Sequence, residues 1–188
     1  LVAVPGCYPT AVLLGIYPLL SMKGIALDTP IIVDAKSGVS GAGRNPKPTT
    51  HFVEVFGNLV PYNTGRKHRH VGEIEQEIKK LMPVDEPLIF TPHLLPVDRG
   101  LMASMYVALN YNITGNRVHN LYANVYGDEA LIELLPVGAN ATLKHAVRTN
   151  RCVISVQPVG ERYVHITSVI DNLRKGAAGQ AVQCFNLM

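Results

Sequence analysis

Tryptophan is absent from this 188-residue chain, cysteine occurs only three times, and charged residues make up only 16% of it. The cysteines, Cys7, Cys152 and Cys184, are an odd number without the close pairing of a zinc site, so neither a disulfide framework nor a metal centre is expected. Unpaired thiols suit a reducing compartment, which makes the expected localisation cytoplasmic and the sequons at Asn112 and Asn140 coincidental. No apolar run approaches the roughly 18 uninterrupted residues of a membrane span. Net charge is +3 with Lys and Arg scattered, and the densest basic stretch, GRKHRH at 65–70, is interrupted by histidine. The like-charge blocks that mark nucleic-acid or membrane-surface partners are missing, so neither partner is expected. Two phosphate-binding signatures are missing as well: GxGxxG after a strand, and GK followed by Ser or Thr. The strand-like LVAV begins at Leu1 without the basic region of a signal peptide, so the chain is expected to be cut from something longer.

What is present is material for a core. Hydrophobic residues make up 47% of the chain, enough for one domain without an internal boundary. In VAVPGCYPTAVLLGIYPLL an apolar strand turns into an apolar helix, with Pro9 suited to its first turn and Cys7 at its start. A buried thiol can be packing. A thiol at a helix N-terminus can equally be chemistry, because the dipole and unpaired N–H groups favour thiolate and a depressed pKa. PIIVDAK reads as a buried strand, SGVSGAGRNPKPTT as a loop and HFVEVF as a strand. VGEIEQEIKKLM, apolar at 71, 74, 78 and 81, reads as a helix. Strands follow at PLIFTPH, GLMASMYVALNY, IELLP, CVISVQPV and YVHITSVI, with a helix at 114–127 opened by a Thr114 cap and another near the C-terminus. Long alternating strands with segregated helices indicate α+β, a mostly antiparallel sheet with helices packed on one face.

Three further stretches carry candidate chemistry. SGVSGAGR sets small residues before Arg44, a pattern that lets backbone N–H groups and a guanidinium approach an anion. HRHVGEIEQE places His68 and His70 before a helix with Glu73 in its first turn, either a plain acidic helix entry or an oriented acid/base histidine. FTPHLLPVDRG holds His93 and Arg99 around a turn. His51, His119, His145 and His165 have no evident partners and read as structural or surface residues, and Cys152 and Cys184 as packing.

Together PGCYPTA, SGVSGAGR, HRHVGEIEQ, FTPHLLPVDRG and DNLRKGAAGQAVQ, in this order from about residue 5 to the C-terminus, resemble the catalytic and dimerisation domain of the N-acetyl-gamma-glutamyl-phosphate reductases. The resemblance implies the glyceraldehyde-3-phosphate dehydrogenase-like C-terminal fold. It also implies reductive dephosphorylation of N-acetyl-gamma-glutamyl phosphate in arginine biosynthesis through a thioester on Cys7, with NADPH as cofactor. It implies His68 as acid/base, without separating it from His70, and Arg44, His70, Glu73 and Arg99 around the substrate. Ser40, Gly41 and Asn172 would face the nicotinamide. An NADP-binding Rossmann domain is expected upstream, with self-association as a dimer or tetramer through the sheet. By itself the chain is expected to be inactive. The family commonly has Thr-Pro where this chain has Val71-Gly72. The rival readings are the aminoadipate-phosphate reductase of lysine biosynthesis, whose substrate is one methylene longer, and a non-catalytic oligomerisation module.

Overall fold

Apolar residues at alternate positions of 101–108 and 163–170 need a buried surface on one side only, and they form the centre of a seven-stranded sheet. A computed structural model of the protein describes residues 1–45, 47–83, 88–113 and 116–188. In chain order the elements are α1 (Cys7–Ser21), β1 (Ile32–Gly38), α2 (Phe52–Val55), β2 (Val60–Pro61), α3 (His70–Leu81), β3 (Ile89–Leu95) and β4 (Leu101–Ala108). They continue with α4 (Arg117–Tyr126), β5 (Ile132–Leu134), α5 (Leu143–Ala146), β6 (Cys152–Val159), β7 (Tyr163–Ile170) and α6 (Gly179–Leu187). Strand order is β2-β3-β1-β4-β7-β6-β5. Among the described residues only β1 with β3 and β5 with β6 run parallel, and each pair is joined by a crossover, as parallel neighbours require. The sheet is mostly antiparallel and the class is α+β.

One face carries the main core. Ala103, Met105 and Val107 of β4 and Val164 and Ile166 of β7 are fully buried there beneath Val12, Ile16 and Leu19 of α1. A Cβ on Gly15 would displace the Met105 methyl and lie 3.3 Å from the Ser168 Cβ, so this glycine lets α1 pack closely over β4 and β7. Pro18 lies inside α1 and cannot donate to the Leu14 carbonyl four residues back. Tyr126 of α4 fills that role, its hydroxyl donating to Leu14 O at 2.6 Å. The opposite face is covered only in part, by α5 and a small cluster of Leu135, Ala141, Ala146, Val153 and Val169. The helices are therefore not confined to one face. Beyond α5 this face mixes exposed Tyr106 and Tyr163 with Ser104, Thr167 and His165, more polar than the apolar surface expected for strands of this length.

Several local expectations are corrected. Residues 1–6 form no strand. HFVEVF folds into the short helix α2, because β2 takes the sheet edge and leaves it no partner; Phe52 and Phe56 stack at 5.0 Å on its surface instead. In α3, Leu81 is 41% exposed and Met82 takes the core position one residue later. The Thr114 cap of α4 lies outside the described residues. Among the described residues no helix is long and apolar enough to cross a membrane, and no three His, Cys, Asp or Glu side chains cluster to hold a metal.

Candidate active site

The chain enters α1 through an extended Gly6, whose carbonyl accepts from both the backbone N–H and the hydroxyl of Thr10 at 2.9 Å. Its own N–H donates to Glu73 Oε1 at 2.9 Å, a contact from the first turn of α3. Cys7 thus becomes the first residue of α1, half-buried and free of disulfide. Two glycines make room around it. A Cβ on Gly6 would lie 2.5 Å from His70 Nε2, and one on Gly176 would lie 2.7 Å from the Cys7 Cβ. Gly176 belongs to a π-turn, Arg174–Ala178, that backs the thiol.

The depressed thiol pKa expected for a helix N-terminus is not found. Burial pushes the Cys7 thiol up; the N–H groups of Tyr8 and Cys7 and the Arg69 charge only offset this, while Glu73 adds to it. A protonated thiol needs a base, and two neutral imidazoles line the same cavity. Burial holds His68 down at about 4, helped by His70 and Arg69, and burial with Arg69 holds His70 down at about 4. His68 Nδ1 accepts the His70 backbone N–H at 3.2 Å, which leaves its proton on Nε2. Its ring is boxed by Tyr8, Tyr62, Phe90 and His70 at centroid distances of 4.8–5.6 Å. His70 turns Nε2 toward Gly6, and its buried Nδ1 has no hydrogen-bond partner.

These groups open onto a cavity of about 510 Å³ lined by Cys7, Tyr8, Tyr62, His68 and His70. Gly41 and Ala42 form part of its lip, and three cations, Lys47, Lys67 and Arg69, part of its wall. The structure therefore brings together Cys7, His68, His70 and Gly41, with Glu73 one hydrogen bond behind. Arg44 and Arg99 do not line this cavity. Arg44 is exposed on the loop. The Arg99 guanidinium is 3.5 Å from the buried Asp171 carboxylate, and its backbone packs where a Cβ on Gly38 would fall, so it supports the loop. Asn172 is buried with both ends of its amide engaged: Nδ2 donates to Ser40 Oγ at 2.9 Å, and Oδ1 accepts Gly100 N–H at 2.7 Å. It holds the 38–42 lip rather than opening onto the cavity. Helix α3 starts without the proline expected before Glu73; a Cβ on Gly72 would meet nothing within 4 Å.

Sequence reasoning missed Tyr62, Lys47, Lys67 and Arg69. Arg69 stands between the two histidines and could have been found from that motif; Tyr62 comes directly after the edge strand β2, which nothing local marks. The other histidines are structural where they bond: His119 to Leu135 O at 3.0 Å, and His165 to Ser104 Oγ at 2.8 Å. Cys152 is core, burial pushing it up to about 11.

A family model described as "Semialdehyde dehydrogenase, dimerisation domain" matches residues 7–172. The chain belongs to this family. It is 45% identical to the N-acetyl-gamma-glutamyl-phosphate reductase of Desulfotalea psychrophila, 48% to that of Halothermothrix orenii and 46% to that of Bacillus subtilis. In each case the match covers 100% of this chain and 54% of the relative, so the chain spans about half the length of the curated relatives it matches. Among solved structures, aspartate semialdehyde dehydrogenase II of Vibrio cholerae superposes with a TM-score of 0.74 at 18% identity, over 97% of this chain and 60% of that one. The Francisella tularensis aspartate semialdehyde dehydrogenase gives 0.73 at 14% identity, over 97% and 63%. These two support the fold of the semialdehyde dehydrogenase dimerisation domain and nothing finer.

Proposed function

We propose that the protein containing this chain reduces N-acetyl-gamma-glutamyl phosphate to the semialdehyde with NADPH, through a thioester on Cys7, in arginine biosynthesis. The observation that carries this reading is the single cavity joining a half-buried thiol, two neutral imidazoles and three cations, on a chain 43–48% identical to reductases of that name. The proton is assigned to His70, whose Nε2 faces Gly6, rather than to His68, whose ring is held in the aromatic box. His70 takes the Cys7 proton as Sγ bonds to the acyl carbon, and passes it to the departing phosphate as the C–O bond breaks. A nicotinamide bound at the lip would supply the hydride that reduces the thioester carbon. The carbonyl electron pair, displaced onto oxygen, then returns, re-forms C=O and expels the Cys7 thiolate, which is reprotonated through His70.

Gly41 and Ala42 line the lip where the flat end of a nicotinamide would rest, Gly41 packed so closely that a Cβ would collide with the Ser37 hydroxyl, with Ser40 behind and Asn172 acting through it. The chain has no glycine-rich βαβ unit for the pyrophosphate and adenosine. The remaining part of the protein is proposed to bring the NADP-binding domain, and the family's dimerising character supports association as a dimer or tetramer through the sheet. The intact Cys7 site argues against a purely oligomerising module.

The test is NADPH oxidation by the whole protein with N-acetyl-gamma-glutamyl phosphate and, separately, with the aminoadipyl phosphate one methylene longer. Preference for the glutamyl compound and loss of turnover in Cys7→Ser are expected. No turnover with it, or preference for the longer compound, overturns the reading.

A further inference from the structure

Among the described residues, five Lys and Arg side chains pair with a carboxylate. Lys36 pairs with Asp34, Arg66 with Glu75, Lys80 with Glu77, Arg99 with Asp171 and Arg151 with Glu133. Lys47, Lys67 and Arg69 differ. They come from two chain segments, converge on the wall of the Cys7 cavity, and among the described residues none has a carboxylate within ion-pair distance. Three cationic residues lining one cavity raise its positive potential, and a multiply charged anion is the ligand which that potential favours. The position of that anion follows from bonding. In an acyl phosphate the phosphorus is two bonds from the carbon that Cys7 must reach, so the phosphoryl group cannot lie far from Sγ. Arg69 is flanked in sequence by the two imidazoles that line the same cavity as the thiol, and its charge is felt at Cys7, His68 and His70 alike. Its planar guanidinium can offer two parallel N–H donors to phosphate oxygens.

We propose that Arg69, flanked by Lys67 and Lys47, forms the phosphoryl-binding wall of the Cys7 cavity, in place of Arg44 on the loop. This rests on the acyl-phosphate reading above. The same cations would otherwise face the substrate's carboxylate, and the two sources are separable by experiment.

The probe is inorganic phosphate, and the readout is its protection of Cys7 against iodoacetamide in the whole protein, followed by peptide mass spectrometry. The apparent dissociation constant for protection is compared, because removing Arg69 also changes the intrinsic rate. Arg69→Ala should weaken protection by on the order of tenfold or more, the loss of charge-assisted hydrogen bonds. Arg69→Lys should recover part of it through charge alone. Arg69 is exposed, so both variants should melt within a few degrees of wild type. Unchanged protection in Arg69→Ala overturns the proposal, as does loss of protection in Arg44→Ala with Arg69→Ala unaffected. Protection by N-acetylglutamate that depends on Arg69 as strongly as that by phosphate also overturns it, making the wall a carboxylate site. Because the readout needs no turnover, Arg69-dependent phosphate protection in a protein that does not reduce N-acetyl-gamma-glutamyl phosphate would keep the wall and discard the substrate.

Discussion

Glu73 Oε1 accepts the backbone N–H of Gly6 at 2.9 Å, so the first turn of α3 grips the residue that precedes the thiol. The carboxylate has two effects of opposite worth. It fixes the turn into α1, and its charge disfavours the Cys7 thiolate. Glu73→Ala loses the bond and should cost about 1.5–3 kcal/mol, the range for a hydrogen bond to a charged group, read by thermal or urea unfolding. Glu73→Gln keeps an acceptor and drops the charge. Its stability should stay within about 1 kcal/mol of wild type, while the pH midpoint of Cys7 alkylation moves down. A midpoint unmoved in Glu73→Gln would make the residue a plain structural tie.

The alkylation midpoint of Cys7 in the wild-type chain should lie above the ordinary thiol range, because burial outweighs the helix N-terminus and Arg69. Removing Arg69 takes away a charge that lowers it, so Arg69→Ala should move the midpoint further up. Cys152, fully buried and pushed up to about 11, should resist labelling throughout. A Cys7 midpoint below the usual thiol value would show that the dipole wins after all.

His68 and His70 are held down at about 4 from an ordinary 6.5. The folded state therefore prefers both rings neutral, while the unfolded chain takes up protons first as the pH falls. Stability from these sites is complete above pH 6.5 and is lost progressively down toward pH 4. Melting temperature followed across that window should fall, and the His68→Gln/His70→Gln double variant should flatten the fall. An equally steep slope in the double variant would place the acid sensitivity elsewhere.

Gly176 and Gly72 should respond oppositely to alanine. A Cβ at 176 meets the Cys7 Cβ at 2.7 Å, so Gly176→Ala should destabilise by about 1–3 kcal/mol and alter the Cys7 alkylation rate. A Cβ at 72 meets nothing within 4 Å inside a helix, so Gly72→Ala should stabilise by about 0.5–1 kcal/mol. Denaturant titration of both variants checks the pair, and equal effects would contradict the packing described.

What could be read from the sequence was whatever one segment determines alone. The sharp entry Pro5-Gly6-Cys7 into an apolar helix, the stripe Val71, Ile74 and Ile78, and the alternation of 101–108 and 163–170 each carry their own signal. The misread segment, 51–56, has a strand's composition but no neighbour to pair with, which is a fact about the sheet edge and not about those residues. The site divides the same way. Cys7 and the two histidines lie in recognisable motifs, but the order of their pKa values depends on burial, and burial arises only when α1, α3 and β2 meet. Lys47 reaches the cavity by chain path alone, and the need for Gly176 exists only because a π-turn presses on Cys7 across the fold.

The six residues from Asp171 to Gly176 form one bracket. At one end the Asp171 carboxylate accepts the N–H groups of Arg148, Leu173 and Arg174, and Asn172 fastens Ser40 of the lip. At the other end Gly176 backs Cys7. The gap between the lip, where a second reactant would rest, and the sulfur is gauged by one short stretch of backbone anchored to a fully buried carboxylate. Movements of α1 and the 38–42 loop relative to each other are thereby confined to what that stretch can flex.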